Sequence, residues 1–272
     1  MHETNPEAIP LHQMNPLSRF SEQAGDYRKY RPSYPDAAIA TILEGLGKPS
    51  SIVAADVGAG TGISSRLLAH RGVRVLAIEP NAAMRQEAQP HPLIEFSGGT
   101  AEATNLETAS TDLVTCFQAF HWFNPKPALQ EFHRILKPGA RLAVVWNNRD
   151  RQDEFTCGYS DLVRRVSNNH PAESRLVAVE PLLVSPLFPE VVQHSFSYQQ
   201  QLDLEGLIGR ANSVSYISRE PQAQQQLICG LQELCDRYCD ENGFVYMVYM
   251  TSVYLAESKT ARYGFAGGSN ER

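Results

Sequence analysis

Three glycines alternate through the segment Asp56-Val57-Gly58-Ala59-Gly60-Thr61-Gly62, after an apolar run and before a helical pattern. Glycine lets a backbone turn tightly and lets a ligand approach it closely, and free amides at a helix start attract electron-rich groups. Such a loop suits a small organic ligand. Glu79 stands 21 residues beyond Gly58, where doubly wound folds place the acid that accepts hydrogen bonds from ribose hydroxyls. Two such bonds to a charged acceptor contribute about 1.5–3 kcal/mol each. The spacing fails the dinucleotide fingerprint G-x-G-x-x-G, because Ile63 takes the third glycine position and Gly62 comes one residue early. Asp56, two residues before the first glycine, would also repel a pyrophosphate there, so a ligand with a cationic or hydroxyl-bearing part is the better match.

Residues with these tasks need elements to hold them, and the apolar periodicity supplies them. Asp36 caps a run in which Ile39, Ile42, Leu43 and Leu46 share one face, which predicts a helix stopped by Gly47. Ile52 to Asp56 reads as a buried strand, Ile63 to Arg71 as a helix, and Val73 to Ile78 as a second strand. A helix over 81–88 and strands over 93–96 and 112–117 follow. Asn124 can cap the next helix, with Pro125 in its first turn and an apolar stripe of Leu129, Phe132, Ile135 and Leu136. Leu142 to Trp146 is the fifth strand. Strands alternating with helices imply an α/β fold, a doubly wound and mostly parallel sheet covered on both faces.

Beyond Asp150 the rhythm loosens. A helix is expected over 155–166, a loop from Pro171 to Pro189, a strand over 191–198, a short helix from Asp203 to near Arg210 and a longer one from Pro221 to Cys239. The run from Phe244 to Met250 is rich in strand formers, so late strands should complete the sheet while the helices cap its carboxyl edge. The expected organisation is residues 1–35 folding over the site, a ligand-binding core over 36–150, a C-terminal part over 151–266 that completes the sheet and carries the cap, and a flexible tail over 267–272.

The composition narrows the classes. The 272 residues are 42% hydrophobic and 20% charged, enough for a substantial core. A formal charge of −6 offers no general attraction to phosphate backbones, so nucleic acid is not an expected partner. No stretch approaches the ~20 apolar residues of a membrane-spanning helix, and the first thirty residues hold no apolar stretch like that of a secretory signal. Five cysteines without C-x-x-C spacing suggest neither a zinc site nor a disulfide framework, and point to a reduced, cytoplasmic chain with no metal. No G-x-S-x-G elbow or H-E-x-x-H pair supports hydrolase chemistry. Oligomeric state is not encoded in any of these features.

D-V-G-A-G-T-G at Asp56 to Gly62, E-P-N-x-x-M at Glu79 to Met84 and G-T-A-E at Gly99 to Glu102 resemble class I S-adenosylmethionine-dependent methyltransferases. Further marks run from Phe20 to Pro35, from Gln118 to Phe123 (Q-A-F-H-W-F) and from Arg134 to Gly139 (R-I-L-K-P-G). They resemble the small-molecule branch that includes trans-aconitate and quinone-biosynthesis methyltransferases. The resemblance covers residues 18–150 and implies a Rossmann-like methyltransferase fold with a seven-stranded sheet. It also implies S-adenosyl-L-methionine as cofactor, S-adenosyl-L-homocysteine as product and a small-molecule acceptor.

Carried over residue by residue, the resemblance places Asp56, Gly58, Ala59, Gly60, Thr61 and Gly62 around the cofactor's amino-acid end. Glu79 would hold the ribose, with Pro80, Asn81 and Met84 bordering the adenosine, and Ala101 and Glu102 facing the adenine edge. Gln118 would lie by the methionine portion. Tyr30 and Arg31 belong to a segment that can fold over the site, and Arg31 either pairs with the cofactor carboxylate or anchors that segment. His121 is the candidate base, although an in-line nucleophile that is already deprotonated needs none. His121 and Trp122 would face the transferred methyl group, with Trp122 offering a π face to a cation, and Trp146, Asn147 and Tyr216 would shape the acceptor pocket. Two other classes stay open at this point: a cofactor-binding module without catalysis, and an NAD-dependent oxidoreductase, against which Ile63 and Asp56 weigh.

Overall fold

The computed structural model describes residues 11–13, 24–170, 179–214 and 216–258. The start of the Phe20 motif, part of the loop expected from Pro171 onward and the tail over 267–272 lie outside the described residues.

Seven strands form one sheet: β1 (Val53–Val57), β2 (Arg74–Ile78), β3 (Ile94–Ser97), β4 (Thr111–Phe117), β5 (Leu136–Arg149), β6 (Val191–Leu202) and β7 (Val245–Glu257). Their order is β3-β2-β1-β4-β5-β7-β6, with β1 to β5 parallel and β7 antiparallel to both neighbours. The fold is α/β and Rossmann-like, a mixed sheet of five parallel strands closed by an antiparallel pair. The chain order reverses between β1 and β4, the switch point where such sheets open a crevice at the carboxyl ends of their strands. The glycine loop leaves β1 at that point.

Period-two alternation divides the central strands between two cores. Helix α1 (Ala24–Tyr30) is followed by α2 (Asp36–Leu43), whose Ala38, Ile39 and Ile42 pack with Ala54, Val75, Leu113, Ala143 and Val145. Leu68 and Ala69 of α3 (Ile63–His70) join the same core. Ala55, Val57, Val114, Cys116, Leu142, Val144 and Trp146 face the other way, toward Leu129, Phe132 and Ile135 of α5 (Pro125–Ile135). Between them in sequence lies the short α4 (Ala82–Gln86).

The third core belongs to the cap. Helices α6 (Glu154–Val166), α8 (Leu204–Asn212) and α9 (Pro221–Tyr238) pack together, and α7 (Glu180–Leu183) precedes β6. Tyr159, Leu162, Leu207, Leu227 and Leu231 meet Val245, Met247 and Tyr249 at the start of β7. Asp153 and Asp203 cap α6 and α8 by accepting from the N–H groups of Thr156 and Gly206. Asn124 occupies the N-cap position of α5 but its side chain makes no capping bond, and Pro35 rather than Asp36 precedes the first turn of α2. The late strands run further than the sequence suggests, since β6 reaches Leu202 and β7 reaches Glu257. No helix among the described residues is long and apolar enough to cross a membrane.

Candidate functional site

Asp56 builds the loop from beneath. Its carboxylate is fully buried and accepts the hydroxyls of Ser64 and Ser65, each at 2.6 Å, and that of Thr115 at 2.8 Å. Burial raises its pKa, opposed by those three hydroxyls. Asp56 therefore ties the first turn of α3 and the neighbouring strand β4 to β1. The expectation that it meets a ligand is corrected, because the carboxylate is fully buried beneath the loop and does not line the cavity above it.

Above it, the N–H groups of Gly58 and Ala59 both donate to the Ile78 carbonyl at the end of β2. Gly58, Gly60 and Gly62 all have positive φ. A Cβ on Gly58 would stand 2.5 Å from that of Ala119, and one on Gly60 would stand 3.2 Å from the Met84 methyl. The loop needs glycine for both its dihedrals and its clearance.

A cavity of about 540 Å³ opens over this loop. Gly58, Gly60, Glu79, Pro80, Asn81 and Met84 form one side, and Ala101, Glu102, Gln118 and Trp122 the other. Glu79 Oε2 accepts the Gly60 N–H at 2.9 Å and Oε1 accepts the Asn81 N–H at 2.8 Å. Burial raises the pKa of this carboxyl, against those two amides. Each oxygen keeps further lone-pair capacity toward the cavity. Asn81 caps α4, with its Oδ1 accepting from the N–H groups of Ala83 and Met84. Glu102 accepts the Asn124 N–H at 2.9 Å, which joins the cavity wall to the start of α5.

Gln118 lines the same cavity. It has φ +52°, its Nε2 donates to the Asn147 carbonyl, and its Oε1 is buried without a partner. A left-handed non-glycine residue that also strands a polar atom is unusual enough to mark a functional position. Gly58, Gln118 and Tyr27 also border a second, smaller cavity of about 20 Å³, together with Ala59 and Arg31. Arg31 lies 4.6 Å from the Tyr27 ring centroid, donates from Nη2 to the Ser213 carbonyl, and has an Nε that is buried without a partner.

Several expected site residues lie elsewhere. Tyr30 faces away from the cavity: its ring fills the space that a side chain on Gly209 would need, and its hydroxyl donates to Glu205. Thr61 and Gly62 do not line the cavity; Thr61 is fully buried, and Gly62 is the left-handed cap of α3. Trp146 is corrected from acceptor wall to core, because alternation along β5 turns it inward against Phe120 and Tyr254. Asn147 serves as a tie instead, donating to the Ser33 carbonyl and accepting the Thr251 hydroxyl. Tyr216, expected at the acceptor pocket, does not line the 540 Å³ cavity and stacks on His170 with ring centroids 5.4 Å apart.

His121 is likewise corrected as a base. It is buried behind Trp122 and does not line the cavity, and its Nδ1 accepts the Trp146 indole N–H at 3.2 Å. Burial, followed by the charge of Arg31, lowers its pKa to about 3. A neutral imidazole of such low basicity is a poor proton acceptor at neutral pH. The cavity also includes residues that the sequence reading left out of the site: Tyr27, Thr100, Ala119, Phe123, Asn124 and the turn at His12 and Gln13. Tyr27 carried a signal, since it belongs to the same aromatic motif as Tyr30. Among the described residues, no cluster of His, Cys, Asp and Glu could hold a metal ion.

A family profile described as a methyltransferase domain matches residues 55–144, from β1 into β5. An uncharacterized methyltransferase of Mycobacterium tuberculosis is 33% identical over 205 residues, covering 74% of this chain and 79% of the relative. A methyltransferase-like protein of Schizosaccharomyces pombe is 27% identical, covering 90% and 98%. Among solved structures, a protein of Anaeromyxobacter dehalogenans assigned as a type II methyltransferase superposes with a TM-score of 0.66 at 23% identity, covering 85% of this chain and 99% of that one.

Proposed function

This chain belongs to the S-adenosylmethionine-dependent methyltransferases, and from that premise we propose that it methylates a small-molecule acceptor with the cofactor seated in the 540 Å³ cavity. The observation that carries the placement is the Glu79 carboxylate, fixed by two backbone amides at the cavity wall with lone pairs to spare. It suits the two hydroxyls of a ribose. Asn81 and Met84 would border the adenosine, with Ala101, Glu102 and Thr100 at the base edge. Gly58, Gly60 and Gln118 would receive the amino-acid end. The unpartnered Gln118 Oε1 complements an ammonium, and the Arg31 Nε complements a carboxylate. The residues present therefore fit the group.

When bound, S-adenosylmethionine supplies a methyl group already activated by its sulfonium. The chain's own residues then have to align and enclose. The glycine loop, Glu79 and Gln118 fix the donor end, and orientation of this kind is worth up to ~7–11 kcal/mol. Trp122 offers its ring to a cation at the cavity wall. Tyr27, His12 and Gln13 also line the cavity and would limit access of water to it. His121 holds Trp146 and keeps the loop over 118–123 in place, acting as a positioning residue.

The test uses S-adenosylmethionine carrying a radiolabelled methyl group, incubated with the protein and a cell extract. Label should accumulate in the small-molecule fraction. Label confined to precipitated protein or nucleic acid would contradict the acceptor class.

A further inference from the structure

The cavity wall across from Glu79 is a tight loop whose shape is set from outside the cavity. Thr100, Ala101 and Glu102 reach the cavity from a turn closed by two backbone bonds, Thr100 N–H to the Ala103 carbonyl at 3.0 Å and Ala103 N–H to the Thr100 carbonyl at 3.3 Å. A Cβ on Gly99 would stand 2.6 Å from the Thr104 carbonyl oxygen, so the two legs of the turn have no slack between them. The returning leg is tied to α5. Thr104 is fully buried and donates twice to one oxygen of Glu131, from its N–H at 2.8 Å and from its hydroxyl at 2.6 Å. The same hydroxyl accepts the Leu106 N–H at 3.3 Å.

Glu131 is held in turn by Arg134, whose Nε donates to Oε2 at 2.7 Å and whose Nη2 donates to Oε1 at 2.8 Å. The guanidinium continues to the Leu106 carbonyl at 2.8 Å and the Thr108 hydroxyl at 3.1 Å. Burial opposes the charge on Glu131, but Arg134 and Thr104 hold its pKa down to about 2, so it is ionised at neutral pH. At the other end of the loop's tip, Glu102 accepts the Asn124 N–H at the start of α5. One helix therefore grips both the tip and the returning leg. The other buried residues of α5 are Ala128, Leu129, Phe132 and Ile135, and packing alone would be served as well by an apolar side chain at position 131. What the carboxylate adds is a fixed place for the loop. Thr104, Glu131 and Arg134 themselves lie off the cavity wall.

Resting on the cofactor placement proposed above, we infer that Glu131 is a positioning residue, which from outside the cavity fixes the loop over 99–104 where it receives the adenine edge of the cofactor. The carboxylate touches no ligand. When its tie is weakened the loop samples other positions, and affinity falls with the fraction of molecules whose wall is in place. The loss belongs to the base end, because Glu79 and the glycine loop are tied to each other and to the end of β2 rather than to α5.

Two variants test this: Glu131→Gln removes the charge that Arg134 and Thr104 bind, and Thr104→Val removes the hydroxyl while keeping the side-chain shape. Hydrogen exchange of the ligand-free proteins should quicken at the amides of residues 100–106 in both variants and stay unchanged at residues 58–62. Calorimetry of the wild-type protein with S-adenosylhomocysteine then tests the underlying reading by itself. Glu131→Gln should weaken that ligand about tenfold, and Thr104→Val should weaken it less. S-inosylhomocysteine, altered only at the base, separates positioning from general destabilisation. The wild-type protein should prefer S-adenosylhomocysteine over it, and Glu131→Gln should shrink that preference at least about threefold. Asp153→Ala, which removes a cap of α6 and also lowers stability, should leave both affinities unchanged. Thr104→Val keeps the test informative if Glu131→Gln fails to fold. Wild-type exchange or affinity in both variants, equal losses for the two ligands, a wild-type protein indifferent to the base, or the same loss in Asp153→Ala would overturn the inference. Failure of S-adenosylhomocysteine to bind the wild-type protein would instead overturn the methyltransferase site, while the exchange measurement still tests the tie.

Discussion

The two halves of the crevice are built on opposite principles. On the glycine-loop side, the chain satisfies its own polar groups: three hydroxyls saturate Asp56, and two backbone amides fix Glu79. On the cap side, Arg31 and Arg210 are gathered without an acid among the described residues, and the Tyr159 hydroxyl is stranded. A half whose groups are settled by the chain is rigid before ligand arrives. Under the proposed function, the settled half is the one that would hold the cofactor.

The strongest way to break the settled half is at Gly58. Gly58→Ala combines a φ of +72° with a Cβ 2.5 Å from that of Ala119. It should cost about 3 kcal/mol or more in chemical denaturation and abolish S-adenosylhomocysteine binding. Wild-type stability in that variant would show that the loop is not rigid. A gentler probe is Glu79→Ala, expected to weaken S-adenosylhomocysteine at least about tenfold with the fold retained. Unchanged affinity in a folded variant would remove Glu79 from the ribose position.

A third prediction concerns pH. Burial would raise the Glu131 carboxyl, but Arg134 and the Thr104 hydroxyl and N–H outweigh it and hold its pKa down to about 2. Because the folded value lies below the ordinary 4.5, its stabilisation is present above pH 4.5 and is lost as pH falls toward about 2. Glu131→Gln should therefore lower stability at pH 7 by about 1–3 kcal/mol and flatten the acid limb over that window. An acid limb of unchanged slope would contradict this role of Glu131. The smallest effect belongs to Asn124→Ala, which removes no capping bond and should change stability by less than about 0.5 kcal/mol. Asp153→Ala removes a real cap of α6 and should cost about 1 kcal/mol in the same denaturation series.

The same contrast governs how much of the molecule was legible in the sequence. The strands and helices through β5 showed themselves because their periodicity is local, and the glycine loop with Glu79 lies within two consecutive strand ends. Trp146 was legible in principle, because it shares the inward parity of Leu142 and Val144 on β5. Tyr30 was not: its orientation depends on Gly209, far along the chain, leaving room for its ring. His121 looked like a base because residue type says nothing of burial, which lowers its pKa to about 3. Thr104 and Glu131 lie 27 residues apart, and no motif joins them.

The central claim is that the glycine loop and Glu79 form a site for S-adenosylmethionine. Calorimetric titration of the purified protein with S-adenosylhomocysteine, beside NAD⁺ in the same buffer and salt, tests it most directly. The account predicts saturable, micromolar binding of S-adenosylhomocysteine and none of NAD⁺. Binding of NAD⁺ alone, or of neither, would contradict it.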